Sequence, residues 1–164
     1  MTSRGSVQPV PPGLYTADQR ARRDACAWTT LQAVLAPLQF LIFSVSLVLV
    51  VRYLLTDAGY FAAAVSVLIK TGVLYLIMIT GAIWEKIVFG QYLFAPAFFW
   101  EDVFSFVVIA FHTAYLWALF SGQVSPDGQM MIALVAYLAY VINAGQFLMK
   151  LRAARLQANA GMIK

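Results

Sequence analysis

Residues 28–51, WTTLQAVLAPLQFLIFSVSLVLVV, contain no charged side chain, and this stretch decides the class of fold. A helix needs about 20 predominantly apolar residues to cross the hydrocarbon core of a bilayer, and the stretch is long enough. Three further stretches, at 60–84, 103–120 and 130–149, share this character. Lys70 and His112 are the only Lys, Arg, Asp, Glu or His residues within them. The sequence therefore predicts an all-α, polytopic membrane protein built as a four-helix transmembrane bundle.

The composition of the whole chain agrees with this class. Hydrophobic residues make up 62% of its 164 residues and charged residues only 11%, whereas soluble domains carry about 25% charged residues. These values exclude a soluble globular domain, a disordered chain and a free nucleic-acid-binding protein. The single cysteine, Cys26, excludes a disulfide scaffold.

We expect a single domain at 14–156, between a disordered tail at 1–13 and a C-terminal tail at 157–164. Thr16 and Gln19 have the spacing of a capping box, so a short amphipathic helix should begin near Ala17 and lie along the membrane surface. The basic residues outside the spans, apart from Arg52, gather at one end of the predicted bundle: Arg4, Arg20, Arg22, Arg23, Lys86, Lys150, Arg152, Arg155 and Lys164. Because basic residues collect on the cytoplasmic side, both termini are predicted to be cytoplasmic.

The connection between the second and third spans is aromatic and carries carboxyl groups at both ends. Its middle, IVFGQYLFAPAFFW at 87–100, follows Glu85 and precedes Glu101 and Asp102. It is too short to cross the membrane and too apolar for a solvated loop, so we expect it to dip into the interface or pack as a lid. Partly desolvated neighbouring carboxyl groups can keep a proton near neutral pH and serve general acid–base catalysis; simple interfacial anchoring is the alternative interpretation.

Polar residues within the spans are further candidates, since such groups usually face protein, water or a ligand. At a rise of 1.5 Å per residue, His112 lies roughly 15 Å and Lys70 roughly 20 Å from the cytoplasmic ends, so the two could be neighbours. Glu101, Ser105 and His112 fall on one helix face. For Asn143, as for Gln32, Gln39 and Gln146, plain interhelical hydrogen bonding is the alternative to a functional role. With one histidine and one cysteine, we predict neither a resident metal nor a cofactor.

Four strings carry a resemblance to a known family: LYTADQRARRDACAWTTLQAVLAPLQFL at 14–41, MITGAIWEKIVFGQYLFAPAFFWEDVFS at 78–105, HTAYL at 112–116, and AYVINAGQFLMKLRAARL at 139–156. Together they resemble the 3-vinyl bacteriochlorophyllide hydratases, also called 2-vinyl bacteriochlorophyllide hydratases, of anoxygenic phototrophs. The resemblance covers residues 14–156, and the string around the aromatic connection is its most distinctive part.

The resemblance implies a cofactor-independent hydro-lyase of bacteriochlorophyll biosynthesis, a multi-pass protein of the bacterial inner, or intracytoplasmic, membrane. Such an enzyme adds water to the C3 vinyl group of chlorophyllide a or bacteriochlorophyllide a, giving a 1-hydroxyethyl group. Its partners would be the magnesium tetrapyrrole, the bilayer and other enzymes of that pathway, with the oligomeric state open.

The residues available suit this chemistry, which needs an acid to protonate the terminal vinyl carbon and a base for the attacking water. We expect Glu101 or Asp102 to be the acid and Glu85 the base, or the reverse. Residues predicted to bind the substrate are Lys70, His112, Trp84, Tyr92, Phe99, Trp100 and Asn143. Among them, His112 could ligate the magnesium of the substrate, and Lys70 or a basic residue near the cytoplasmic face could pair with its propionate.

A different class of function is the alternative interpretation. A non-catalytic chlorophyll-binding carrier, or an assembly factor for photosynthetic complexes, would also use four spans, aromatic residues and one histidine. Only the concentration of carboxyl groups at the aromatic connection favours the enzyme, because a carrier does not require them.

Overall fold

The structure, a computed structural model, describes residues 14–161. It contains five α-helices: α1 (Ala17–Ala25), α2 (Ala27–Thr56), α3 (Tyr60–Phe89), α4 (Phe99–Ser121) and α5 (Pro126–Gly161). No strand occurs in this part of the chain, so the predicted all-α class is confirmed. The predicted tail at 1–13 lies outside the described residues, and the limits of the domain stay a prediction.

The four long helices are apolar enough to cross a membrane over Ala27–Thr56, Tyr60–Phe89, Phe99–Ser121 and Pro126–Arg152. Successive helices run in opposite directions and form an up-and-down bundle. The "α1 end" of the bundle carries α1 and the connection between α3 and α4, and the "far end" carries the connections at 57–59 and 122–125. Each helix is longer than the predicted apolar span, and α5 continues past residue 149 because the following segment is rich in good helix formers.

The start of α1 is set by the predicted capping box. The Thr16 hydroxyl accepts a hydrogen bond from the Gln19 N–H, and the Gln19 side chain accepts one from the Thr16 N–H at 2.9 Å. The Tyr15 ring stacks on Phe89 of α3 with ring centroids 5.8 Å apart. The capping box predicted from sequence is therefore confirmed, and α1 is tied to the α1 end of the bundle.

The bundle consists of two helical hairpins, α2 with α3 and α4 with α5, joined mainly where α2 meets α5. Hydrogen bonds join the hairpins at the far end, where the Tyr53 hydroxyl donates to Asp127 at 2.7 Å and the Tyr60 hydroxyl donates to Gln129. Deeper in the bundle, Ser46 of α2 is hydrogen-bonded to the hydroxyl of Tyr137 on α5. These contacts fix the two hairpins in register.

Apolar side chains also cover the outside of the bundle. Leu55, Phe61 and Phe120 are 79%, 80% and 75% exposed. Exposed apolar area of this extent is not stable in water and requires a lipid environment. The protein is therefore a multi-pass membrane protein, as the sequence predicts.

Candidate active site

Three carboxyl side chains are buried together at the α1 end of the bundle. Glu85 lies in the last turns of α3, and Glu101 and Asp102 lie in the first turn of α4; their exposed fractions are 5%, 7% and 4%. They meet because α3 ends at Gly90, whose left-handed φ of 88° reverses the chain, and the short "aromatic loop" of residues 90–98 leads directly into α4. The N-terminus of a helix also favours the negative charge of Glu101 and Asp102. We call these three residues the carboxyl cluster.

The aromatic loop holds two of these carboxyl groups through consecutive backbone N–H groups. The Phe94 N–H donates to Asp102 Oδ2 at 2.6 Å, and the Ala95 N–H donates to Glu85 Oε2 at 3.3 Å. Phe94 has a φ of 59°, a left-handed conformation that is unfavourable for a residue with a bulky side chain. Consecutive N–H groups around a left-handed residue form an anion-binding concavity, so the strained backbone serves the carboxyl groups.

Glu85 and Asp102 lie side by side, because the N–H groups of two consecutive residues, Phe94 and Ala95, each bind an oxygen of one of them. When two buried carboxyl groups share a site, ionisation of both is unfavourable. The arrangement therefore favours one proton held between α3 and α4.

Glu101 has a different partner. Its Oε2 lies 2.6 Å from Nζ of Lys150 on α5, and the same ammonium lies 5.0 Å from the centre of the Phe98 ring. This ion pair joins α4 to α5. The carboxyl cluster thus combines a close pair of carboxyl groups, Glu85 and Asp102, with a third that is ion-paired.

The aromatic side chains around the loop divide into two groups. The inner group is packed between helices: Tyr15, Trp84, Phe89, Phe98 and Phe147. Within it, Trp84 Nε1 donates to the Thr29 hydroxyl at 2.9 Å, a contact that ties α3 to α2.

The outer group, which we call the aromatic patch, consists of Phe94, Phe99, Trp100 and Phe106, which are 39%, 44%, 64% and 43% exposed. Phe94 stacks on Phe106 with centroids 5.6 Å apart and contacts Phe99 at 5.7 Å. Tyr92 is exposed on the same loop and lies beneath the Lys86 ammonium. Because the Phe94 N–H binds Asp102, the patch lies directly outside the carboxyl cluster.

Lys70 occupies the interior of the bundle and is fully buried. Its Nζ lies 3.7 Å from the centre of the Tyr140 ring, and the Gln39 amide oxygen, in the orientation that satisfies its neighbours, accepts a hydrogen bond from Nζ at 3.0 Å. No carboxylate in residues 14–161 forms a salt bridge with Lys70. A cation–π contact and an amide oxygen therefore compensate this buried ammonium.

His112 lies on the buried face of α4, together with Ser105 and Val108, as the helical spacing predicts, and it contacts α5 within one turn of the Lys70 contact, at Tyr137 and Tyr140 respectively. Its Nδ1 is 2.8 Å from the Val108 carbonyl oxygen, and its ring centroid is 6.0 Å from that of Tyr137. Counted by helical rise, His112 lies roughly 15 Å deeper than Asp102, so it is not part of the carboxyl cluster.

Asn143 of α5 connects to the same face of α4. Its Nδ2 donates to the Ser105 hydroxyl at 2.9 Å, one turn deeper than Glu101. The structure thus brings Glu85, Glu101 and Asp102 together, with Phe99 and Trp100 outside them, while Lys70 and His112 form a separate group deeper in the bundle.

Three residues that hold the charged side chains of these groups are not among the predicted site residues. Lys150 is predicted only as part of the basic end of the bundle, Gln39 only as one of several polar candidates, and Tyr140 carries no prediction. The antiparallel helices α4 and α5 are joined by the turn at 122–125, and Lys150 follows this turn by about as many residues as Glu101 precedes it. The two side chains therefore lie at the same level of the bundle, and this spacing is a sequence signal for the ion pair. No sequence signal marks the contact of Tyr140 with Lys70.

A multi-pass helical membrane protein with buried carboxyl groups beneath an aromatic loop has the elements of an acid–base enzyme acting on a membrane-soluble compound. The family model described as 2-vinyl bacteriochlorophyllide hydratase (BCHF) matches residues 15–153, and the chain belongs to this family.

Two curated relatives support the assignment. The 2-vinyl bacteriochlorophyllide hydratase of Rhodobacter capsulatus is 74% identical over 92% of this chain and 87% of its own length. The protein of the same name from Cereibacter sphaeroides is 68% identical over 94% of this chain and 99% of its own length. No solved structure matches the chain.

Proposed function

We propose that this protein is a hydro-lyase that adds water to the C3 vinyl group of chlorophyllide a or bacteriochlorophyllide a, giving the 3-(1-hydroxyethyl) product of bacteriochlorophyll biosynthesis. The family and the names of the two relatives support the reaction. The structural observation that carries the proposal is the buried Glu85–Asp102 pair, bound by the N–H groups of the aromatic loop. A pigment carrier has no need of such a pair.

In this proposal the Glu85–Asp102 pair is the acid and Glu101 is the base. Protonation of the terminal vinyl carbon by the pair leaves a cation that the conjugated macrocycle spreads over many atoms. Water then attacks the inner carbon while Glu101 accepts a proton from it. Attack on a cation requires only a weak base, which suits a carboxylate held by Lys150 at 2.6 Å.

The aromatic patch is the proposed docking surface for the macrocycle. A flat apolar pigment dissolved in the bilayer can stack on exposed rings without crossing the bundle. Phe94 belongs to the patch and also binds Asp102 through its N–H, so a pigment edge beside Phe94 would reach the acid. Tyr92 extends this surface, and the propionate could pair with Lys86 beside it.

The other predicted substrate contacts remain proposals. Magnesium ligation by His112 and propionate binding by Lys70 would require the pigment to enter between the helices, since both side chains are fully buried. Trp84 supports the site through its packing on Phe98 and its hydrogen bond to Thr29.

We further propose that the protein resides in the bacterial inner membrane with both termini in the cytoplasm. The described basic residues at the α1 end support this orientation: Arg20, Arg22, Arg23, Lys86, Lys150 and Arg152. Arg52 lies near the far end. The carboxyl cluster would then face the cytoplasmic side.

The test is turnover by membranes that contain the protein, supplied with the 3-vinyl pigment. A product heavier by one water is expected, and Asp102→Asn should lower its rate by about 10²–10⁴, the usual contribution of a general acid, while pigment binding persists. Asp127→Asn, at the hydrogen-bonded carboxyl group of the far end, is the matched control. Folded wild-type protein that binds the pigment without hydrating it would favour the carrier, and wild-type turnover by Asp102→Asn would remove the proposed acid.

A further inference from the structure

Two buried amide oxygens near the carboxyl cluster have no hydrogen-bond partner among the described residues. They are Oδ1 of Asn143 and Oε1 of Gln146, both on α5. An unpaired buried acceptor costs about 1–3 kcal/mol, so native proteins pair such groups with ordered water or a ligand. The two oxygens therefore indicate a polar ligand between α4 and α5.

The surrounding contacts place both residues on the face of α5 that packs against Glu101 and Ser105. Asn143 is held through its Nδ2 by Ser105, which follows Glu101 by one turn of α4. Gln146 precedes Lys150 by one turn of α5, and Lys150 holds Glu101. The Gln146 side chain therefore lies between the Asn143–Ser105 contact and the Lys150–Glu101 contact, and the charged donor of this region, Lys150 Nζ, is already engaged by Glu101.

Unpaired acceptors near Glu101 suit a water molecule that acts as a nucleophile. Such a water must donate its hydrogens to the protein so that an oxygen lone pair faces the carbon under attack. We propose that Asn143 and Gln146 hold the reacting water beside Glu101: one hydrogen of the water is donated to Glu101 and the other to Asn143 Oδ1, and the Gln146 amide packs against the water. This inference rests on the proposed hydration. Asn143 and Gln146 are positioning residues for the nucleophile, and Glu101 removes its proton.

The acid and the water site are separate but adjacent in this arrangement. Glu101 and Asp102 are successive residues of one helix and therefore point about 100° apart. The proton of the Glu85–Asp102 pair goes to the terminal vinyl carbon, the water oxygen bonds to the inner carbon, and the second proton goes to Glu101. Its return from Glu101 to the neighbouring Asp102 restores the pair, so one water is added and nothing is oxidised or reduced.

Competition between water and methanol tests the site. Full-length wild type and the variants Asn143→Ala and Gln146→Ala are supplied with the vinyl pigment in a fixed methanol–water mixture, and the methyl ether is measured against the hydroxyethyl product. Each variant removes an amide and so makes room for the methyl group of methanol. The ratio of ether to alcohol should therefore rise about tenfold, which is the usual effect of one additional carbon on the selectivity of a closely fitting site. Gln32→Ala, which removes an amide bonded to Thr80, is the control and should leave the ratio unchanged.

The outcomes separate the two proposals. No addition product from folded wild type would refute the proposed hydration itself. Hydration with an unchanged ratio in both variants would overturn the water site, since a structural loss lowers both products equally. Asn143→Ser and Gln146→Ser, which also create space, replace any alanine variant that fails to fold.

Discussion

The Glu101–Lys150 ion pair allows a quantitative prediction about stability. In Lys150→Met the apolar stem is retained and the charge is lost, so the Glu101 side chain, which taken alone is only 9% exposed, loses its partner at 2.6 Å. Breaking a fully buried pair costs about 3–5 kcal/mol, and an exposed pair contributes about 0–1 kcal/mol. Lys150 itself is 26% exposed, which places the expected cost between these limits, at about 2–3 kcal/mol.

The other two variants of the cycle should lose less stability than Lys150→Met. Glu101→Gln should cost only about 1 kcal/mol, since the partly exposed Lys150 can turn toward water. In the double variant no unpaired charge remains, so its stability should lie within about 1 kcal/mol of wild type.

The assay is a double-mutant cycle on the free energy of unfolding in mixed detergent micelles. A coupling free energy of about 2–3 kcal/mol is expected between Glu101 and Lys150. Lys86→Met is the matched control, because Lys86 lies at the same end of the bundle but is exposed and donates only to the Gly90 carbonyl. A coupling below about 0.5 kcal/mol, or an equal loss in the control, would refute the buried ion pair.

Three further predictions concern the loop, the histidine and the topology. Because Phe94 is left-handed at a φ of 59°, Phe94→Asn should be more stable than Phe94→Val by about 1 kcal/mol in the same unfolding assay; equal stabilities would contradict the strained backbone. If His112 ligates the substrate magnesium, His112→Ala should weaken pigment binding and shift the bound absorption spectrum, whereas unchanged affinity and spectrum would exclude ligation. In a Cys26→Ser background, a membrane-impermeant maleimide should label Asp57→Cys from the periplasmic side only; labelling from the cytoplasmic side would reverse the proposed orientation.

The fold was accessible from sequence to a large extent because hydropathy acts locally. A helix must satisfy its own backbone hydrogen bonds in lipid, so apolar length alone predicts α2 to α5. The capping box at Thr16 and Gln19 likewise depends on residues three positions apart. Helix ends were less predictable: α5 continues to Gly161 because helix propensity extends beyond the apolar run.

The candidate site was accessible only in part. The sequence determined that Glu85, Glu101 and Asp102 flank one aromatic connection, because their separation along the chain is short. It could not determine which carboxyl groups lie side by side, because that depends on the left-handed Phe94 and on the approach of Lys150 across nearly fifty residues. Only the tertiary structure brings Glu85 beside Asp102, assigns Glu101 to Lys150 and leaves the Asn143 and Gln146 oxygens buried, since these contacts depend on how helices rotate against one another.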